Sequence, residues 1–172
     1  MILESIKNRR SIRSYKDTPV SKEQLKILLE AAMLSPSACN TRPWRFVAIT
    51  NRAKLDHLAD VHSYAKMLKS AQAAIVIIAL PKAQEDIHKG LPRGFYPQDC
   101  AAATENILIQ AESMGLSTCW CGVYPKEATI AAIAEVLDVP NHEIPFCVIA
   151  IGEKAESPNP RGRYEEERVT WI

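Results

Sequence analysis

The chain has 172 residues, of which 24% are charged and 47% hydrophobic, and a net charge of +1. This is enough for one domain with a sizeable core, and a balance so near neutral gives no bulk preference for polyanions or anionic membranes. No apolar run approaches the ~20 residues of a membrane-spanning helix, and no signal-peptide pattern opens the chain. The five cysteines, Cys39, Cys100, Cys119, Cys121 and Cys147, contain no C-x-x-C pair. They suggest neither a disulfide framework nor a metal site, and the expectation is a metal-free cytoplasmic protein.

Ile2, Leu3 and Ile6 predict a short amphipathic opening helix ending near Arg9-Arg10-Ser11-Ile12-Arg13. Three guanidinium groups in five residues repel one another unless an anion or acidic surface faces them. Arginine's planar fork suits phosphate and carboxylate. A solvated charge run is the other reading of these five residues. A nucleic-acid arm is disfavoured, because no aromatic residues interleave the arginines and no basic stripe follows.

Thr18-Pro19-Val20 is a break. Ser21 with Gln24 three positions on has the spacing of a capping box. Leu25, Leu28, Leu29, Ala32 and Met33 then form one helical face, ended by Pro36. Residues 35–44, SPSACNTRPW, make a tight loop. A strand is predicted over 46–50, helices over 52–60 and 63–70, and a central strand over the apolar run 73–80. Residues 81–97 form a long irregular connection of the kind that often serves as a binding loop.

The longest helix is predicted over 98–114, with Cys100, Ala103, Thr104, Ile107, Ala111 and Met114 on one stripe and Leu108 beside it. Asp99, Glu105, Asn106, Gln110 and Glu112 lie on the polar side. Ala102 and Ile109 interrupt that side, either as a subunit contact or as exposed apolar residues. Gly115 fits a helix C-cap. A strand over 117–123 places Cys119 and Cys121 on one face. A helix over 126–137 and a strand over 145–151 follow. The terminal Trp171-Ile172 has no element to bury it, and a partner subunit is one candidate. Without repeats or a linker, residues 1–172 form one domain, an α/β sandwich with helices on both faces of a sheet.

No hydrolase elbow, zinc helix, glycine-rich dinucleotide fingerprint or P-loop is present. His57, His62, His88 and His142 are scattered and read as surface residues. What remains is a set of anion-receptive groups: Arg9 to Arg13, the Ser37/Asn40 loop, Lys66, and Arg161 with Arg163.

Five motifs stand in the order found in one family. They are RRSIRSY at 9–15, SPSACNTRPWRFVAI at 35–49, YAKMLKSAQAAIVI at 64–77, STCWCGVYP at 117–125 and PRGRYEEERVTW at 160–171. Over essentially its whole length the chain resembles the short, single-domain branch of the FMN-dependent nitroreductases. The resemblance implies a three-layer sandwich around a mixed, largely antiparallel sheet. It implies a homodimer with FMN at the subunit interface, and a tail from about residue 153 packing on the partner.

Carried over by motif, Arg9, Ser11 and Arg13 resemble the N-terminal flavin contacts, with Arg10 the neighbouring basic position. Arg161 and Arg163 resemble the pair completing the phosphate site. Pro36, Ser37, Ala38 and Asn40 match the loop that reaches the flavin of the other subunit. Lys66 matches a basic residue at the pyrimidine edge, and Cys121 with Gly122 the turn approaching flavin N5. Arg42, Phe95 and Tyr96 are candidates for the substrate mouth. Arg42 replaces a frequent Gln, and Cys39 stands where Gly, Ser or Thr is commoner. No catalytic side chain is implied, because the flavin supplies the redox chemistry. The implied activity is hydride transfer from NAD(P)H to the flavin, then reduction of a nitroaromatic, quinone or related small acceptor by a ping-pong mechanism. The alternatives are a flavin-fragmenting or dehalogenating member of the family and a redox-sensing flavin module without turnover.

Overall fold

The run Ala73–Ala79 is apolar at every position because helices cover both of its faces. The computed structural model describes residues 1–85, 94–159 and 162–172. The elements are α1 (Glu4–Asn8), α2 (Lys22–Met33), β1 (Trp44–Ile49), α3 (Arg52–Val61), β2 (Ala73–Ala79), α4 (Tyr96–Ser113), β3 (Ser117–Gly122), α5 (Glu127–Leu137) and β4 (Ile144–Gly152). The four strands pair antiparallel in the order β1-β2-β4-β3. A parallel element is added by a single bridge from Ser11 to Thr118.

The two-residue period of β2 splits its side chains between two cores. Ile75 and Ile77 join Leu28 of α2, Ala103 and Ile107 of α4 and Ile149 of β4. Val76 and Ile78 join Leu55 and Leu58 of α3, Ile133 of α5 and Cys119 and Cys121 of β3. Leu28, Leu58 and Ile75 are fully buried, each such side chain contributing about 1.5–3 kcal/mol. The β2–β4 register slips between Ile77 and Ile78, where the partner strand carries Pro145. Proline has no N–H for the ladder, so a bulge is the place for it.

Local signals are realised where they concern backbone chemistry. Ser21 caps α2 with both bonds of a capping box, Gln24 N to Ser21 Oγ at 3.1 Å and Ser21 N to Gln24 Oε1 at 2.9 Å. Gly115 follows α4 at φ +75°, a conformation that penalises a Cβ.

Four expectations change. The helix predicted over 63–70 is only a short 3₁₀ turn at Lys66–Lys69. His62 leaves α3 with extended backbone angles, and Tyr64 N–H bonds to the His62 ring instead of a helical carbonyl. The helix predicted from residue 98 begins at Tyr96, with Pro97 in its first turn, where no N–H is needed. Asp99, assigned to the polar side of that helix, is buried. Met33 is exposed, as are Ile2, Leu3 and Ile6, and α1 buries none of its residues. Ala102 and Ile109 are half-buried.

Candidate active site

The arginine cluster begins at the C-cap of α1 and runs on as an extended arm laid beside the sheet. Ile12 N donates to Thr118 O at 2.9 Å, and Tyr15 bridges to Lys154. Ile12 and Tyr15 are buried and pin the arm. Gly152 allows the Tyr15 ring to lie there, since a Cβ at that glycine would meet Tyr15 Cδ1 at 2.9 Å. Glu156 Oε1 accepts from Arg13 N at 2.5 Å and from Ser14 N at 3.1 Å.

Because the arm is extended, its side chains diverge. Arg9 Nε lies 3.4 Å from Glu105 of α4. Arg10 turns back onto α1, donating to Lys7 O at 2.9 Å and Arg9 O at 2.8 Å, while its Nε is buried with no hydrogen-bond partner. Ser11 is exposed. Arg13 is directed away from this group and lines two adjoining open hollows.

The first hollow, of about 400 Å³, has Arg13, Tyr64, Cys121, Gly122, Tyr124 and Lys126 in its walls. The second, of about 450 Å³, has Arg13, Lys66, Met67 and Lys69. No carboxylate lines either hollow among the described residues. Lys66 Nζ donates to Ala59 O at 2.8 Å at the C-terminal end of α3, where a cation is favoured. Lys126 Nζ stands 4.7 Å over the Tyr64 ring, a cation–π distance. The structure thus brings together Arg13, Lys66, Cys121 and Gly122, which lie far apart in sequence. The Cys121 thiol approaches Tyr64 O at 3.5 Å, and its hydrogen bond to Cys119 and burial push its pKa upward. It is a packed thiol, not a nucleophile.

His62 was read as a surface residue, yet it is 2% exposed. Its Nε2 lies 3.1 Å from Gly122 O, and its Nδ1 accepts from Tyr64 N at 3.3 Å. No signal in a single sequence distinguishes it from the exposed His57 and His142; His88 lies outside the described residues.

The loop 36–42 does not line the Arg13 hollows. Cys39, Asn40 and Arg42 have φ of 51°, 54° and 47°, conformations that cost non-glycine residues energy and persist when the surroundings enforce them. Here the enforcement is a buried network. Asp99 Oδ1 accepts from Ala38 N at 3.1 Å, and Asp99 Oδ2 from Gln84 Nε2 at 2.7 Å. Gln84 Nε2 also donates to Thr41 Oγ1 at 3.0 Å, and Arg42 N to Ser37 Oγ at 2.9 Å. Cys39, Asn40 and Arg42 face outward, as does Pro36; Ser37 and Ala38 are half-buried. Tyr96 is buried edge-on to Tyr124, their ring centres 5.9 Å apart. Phe95, 38% exposed, donates its N–H to Gln84 Oε1 at 2.9 Å. Arg163 is exposed and shares no hydrogen bond or ion pair with the arm among the described residues; Arg161 lies outside them.

Comparison with known proteins places this arrangement in a family. The sequence pattern described as Nitroreductase family matches residues 6–63 and 57–153. A Methanothermobacter thermautotrophicus protein, provisionally named NADH dehydrogenase/NAD(P)H nitroreductase, is 42% identical over 168 residues. The match covers 98% of this chain and 85% of that protein. The solved FMN-dependent nitroreductase of Clostridium difficile R20291 has a TM-score of 0.86 at 32% identity, over 97% of this chain and 96% of the other. A provisionally named nitroreductase of Desulfovibrio desulfuricans, solved in complex with FMN, has a TM-score of 0.80 at 27% identity, over 98% and 95%. Sequence pattern and whole-chain similarity agree, and the chain belongs to the nitroreductase family.

Proposed function

We propose that the protein is an FMN-dependent oxidoreductase that takes hydride from NAD(P)H and reduces a small acceptor such as a nitroaromatic or quinone. The observation that carries this reading is the Arg13 hollow. It is cationic, free of lining carboxylates among the described residues, and bounded by the end of β3. That donor set fits an anionic, hydrogen-bonding ring system. Bound there, FMN would supply the redox chemistry, a ring system able to take up hydride and give reducing equivalents to the acceptor.

The chain's own residues bind and tune. Arg13 and Lys66 place positive charge at the pyrimidine edge, which favours the anionic reduced form. The backbone around Cys121 and Gly122, which lines the hollow, would lie against the flavin near N5. Arg9 and Ser11 hold the phosphate, joined by Arg161 and Arg163 from the tail. Donor and acceptor use one face in turn, which gives ping-pong kinetics. The protein acts as a homodimer in which the 36–40 loop of each subunit completes the site of the other. The outward-facing loop supports that assembly, as do the exposed Ile2, Leu3, Ile6, Leu34, Trp171 and Ile172.

The test is anaerobic mixing of the FMN-loaded protein with NADH or NADPH, followed by an acceptor panel. Bleaching of the flavin by a nucleotide and recovery with an acceptor is the expected result. A protein that takes up no FMN would overturn the proposal. One that binds FMN but is not reduced would be a flavin module without turnover. Degradation of reduced FMN in air would identify the flavin-fragmenting chemistry.

A further inference from the structure

The sequence motifs place Lys66 and Gly122 at the site but do not explain what fixes the walls of the hollow relative to each other. Those walls come from chain segments about sixty residues apart, and two side chains bridge them: the Cys121 thiol, a weak donor to Tyr64 O at 3.5 Å, and the His62 ring. His62 touches Gly122 O through Nε2 at 3.1 Å and receives Tyr64 N–H on Nδ1 at 3.3 Å. The two contacts dictate the ring's state. An amide N–H can only donate, so Nδ1 carries no proton. The proton of the neutral ring is therefore on Nε2, where it donates to Gly122 O.

We propose that His62 is a positioning residue whose neutral ring ties the Gly122 turn to the Tyr64 wall and so sets the shape of the Arg13 hollow. The ring touches neither reacting atoms nor lining space; it acts through Gly122 and Tyr64, both of which line the hollow. Protonation adds a second N–H at Nδ1, facing Tyr64 N–H, and that bond must open. The ring then holds Gly122 alone, and its tie to the Tyr64 wall is lost.

The surroundings favour the neutral ring. Burial disfavours the charged form, and Lys126 and Lys66 add like charge, against the hydrogen bond to Gly122, which favours it. On β3, Cys121 is a protonated thiol facing Tyr64 O. On α3, Asp60 is exposed and bound to Lys69 at 2.6 Å, so it offers the ring no buried counter-charge. The position of His62 at the C-terminal cap of α3 favours a cation, and desolvation with two lysines opposes it.

The role of the tie in cofactor binding rests on the FMN reading above; its existence does not. The experiment measures FMN dissociation by flavin fluorescence for the full chain and for His62→Gln and His62→Leu, at about pH 7.5 and about pH 4.5, the lower value set well below the ordinary histidine range because the surroundings lower the ring's pKa. Glutamine keeps a donor for Gly122 O but does not titrate. Wild-type affinity is expected to fall roughly tenfold on acidification beyond the change seen in His62→Gln, the scale of one lost hydrogen bond. The comparison removes the contribution of the FMN phosphate, which itself titrates near pH 6. His62→Leu should bind FMN weakly at both pH values. Ring ¹⁵N shifts of the unloaded chain should report the Nε2–H form at the higher pH, and the protection of the Tyr64 amide, its exchange rate relative to the intrinsic rate at each pH, should fall on acidification.

Identical pH dependence in wild type and His62→Gln would overturn the cofactor role. An Nδ1–H ring at the higher pH, or Tyr64 amide protection indifferent to pH, would overturn the tie itself. If no variant binds FMN, the proposed function fails, while the ring shifts and amide exchange still decide on His62.

Discussion

Asp99 Oδ2 accepts a 2.7 Å hydrogen bond from Gln84 Nε2 beneath the loop that carries three left-handed residues. Asp99 also receives Ala38 N–H, and Gln84 reaches both Thr41 Oγ1 and Phe95 N–H. Two buried side chains thus join the 36–42 loop to the segment before α4 and to its first turn. Removing the carboxylate leaves the Ala38 and Gln84 donors without their acceptor. Asp99→Ala should cost about 1–3 kcal/mol, and Gln84→Ala a similar amount. Urea unfolding of both variants checks this, and midpoints indistinguishable from wild type would remove the network as the loop's support. The two losses should also be less than additive, because the side chains share one network.

The divergence of Arg10 and Arg13 predicts different phenotypes from neighbouring residues. Arg10 holds carbonyls at the end of α1, so Arg10→Ala should lower stability by about 0.5–1.5 kcal/mol. Arg13 faces the hollows, and its only side-chain bond among the described residues is a marginal one to Ser11 O at 3.5 Å. Arg13→Ala should leave the unfolding midpoint nearly unchanged and weaken FMN binding roughly tenfold or more, the scale of one charge-assisted contact. Calorimetric melting and flavin titration on both variants separate the two effects. Loss of stability in Arg13→Ala without loss of FMN affinity would contradict the assignment.

The parts of this fold legible in the sequence are those set by local rules. Ser21 with Gln24 announced its capping box, the run 73–80 announced an inner strand, and Gly115 announced a helix end. What escaped depends on partners distant in the chain. Asp99 resembles any polar helix residue until Ala38 and Gln84 meet it. His62 resembles a surface histidine until Gly122, sixty positions on, closes over it. The resemblance implied one flavin site that includes Arg13, Lys66, Cys121 and Gly122; in the fold Cys121 and Gly122 line one hollow, Lys66 lines another, and Arg13 lines both. The direction of each arginine was hidden because it follows from the bridge of Ser11 to Thr118, not from the helical spacing that precedes it.

Gly152 and Tyr15 make a second test of the arm. A Cβ at residue 152 would come within 2.9 Å of the Tyr15 ring, so Gly152→Ala should destabilise by about 1–3 kcal/mol through overpacking. The Tyr15 hydroxyl donates to Ile12 O at 2.7 Å, and burial drives its pKa far up. The sign of the pH effect follows. The unfolded chain releases this proton near pH 10, while the folded chain retains it. The hydroxyl's contribution is therefore complete below about pH 10 and is lost as pH rises beyond it. Tyr15→Phe should lower stability by about 1 kcal/mol at neutral pH and flatten the alkaline decline. Denaturant midpoints between neutral and alkaline pH give both readings, and an unchanged alkaline slope would show that Tyr15 ionises freely.

Trp171 and Ile172 end the chain with side chains in water, Trp171 at 81% of its full exposure. Tyr164 and Val169 are also exposed, as are Ile2 and Leu3 just before α1 and Ile6 within it. Exposed apolar groups of this size gain from burial in an interface, and tryptophan is among the residues that most often dominate one. In a dimer that uses the tail, Trp171→Ser should weaken subunit association by about 2 kcal/mol or more, roughly thirtyfold in the dissociation constant. FMN affinity should fall with it, because the loop 36–42 is presented outward and each site would lose its second wall. Dilution series by sedimentation, with FMN titrated in parallel, measure the two quantities together. A wild-type chain that remains monomeric at micromolar concentration and still binds FMN tightly would place the whole cofactor site within one subunit, leaving the strained geometry of Cys39, Asn40 and Arg42 without its proposed use.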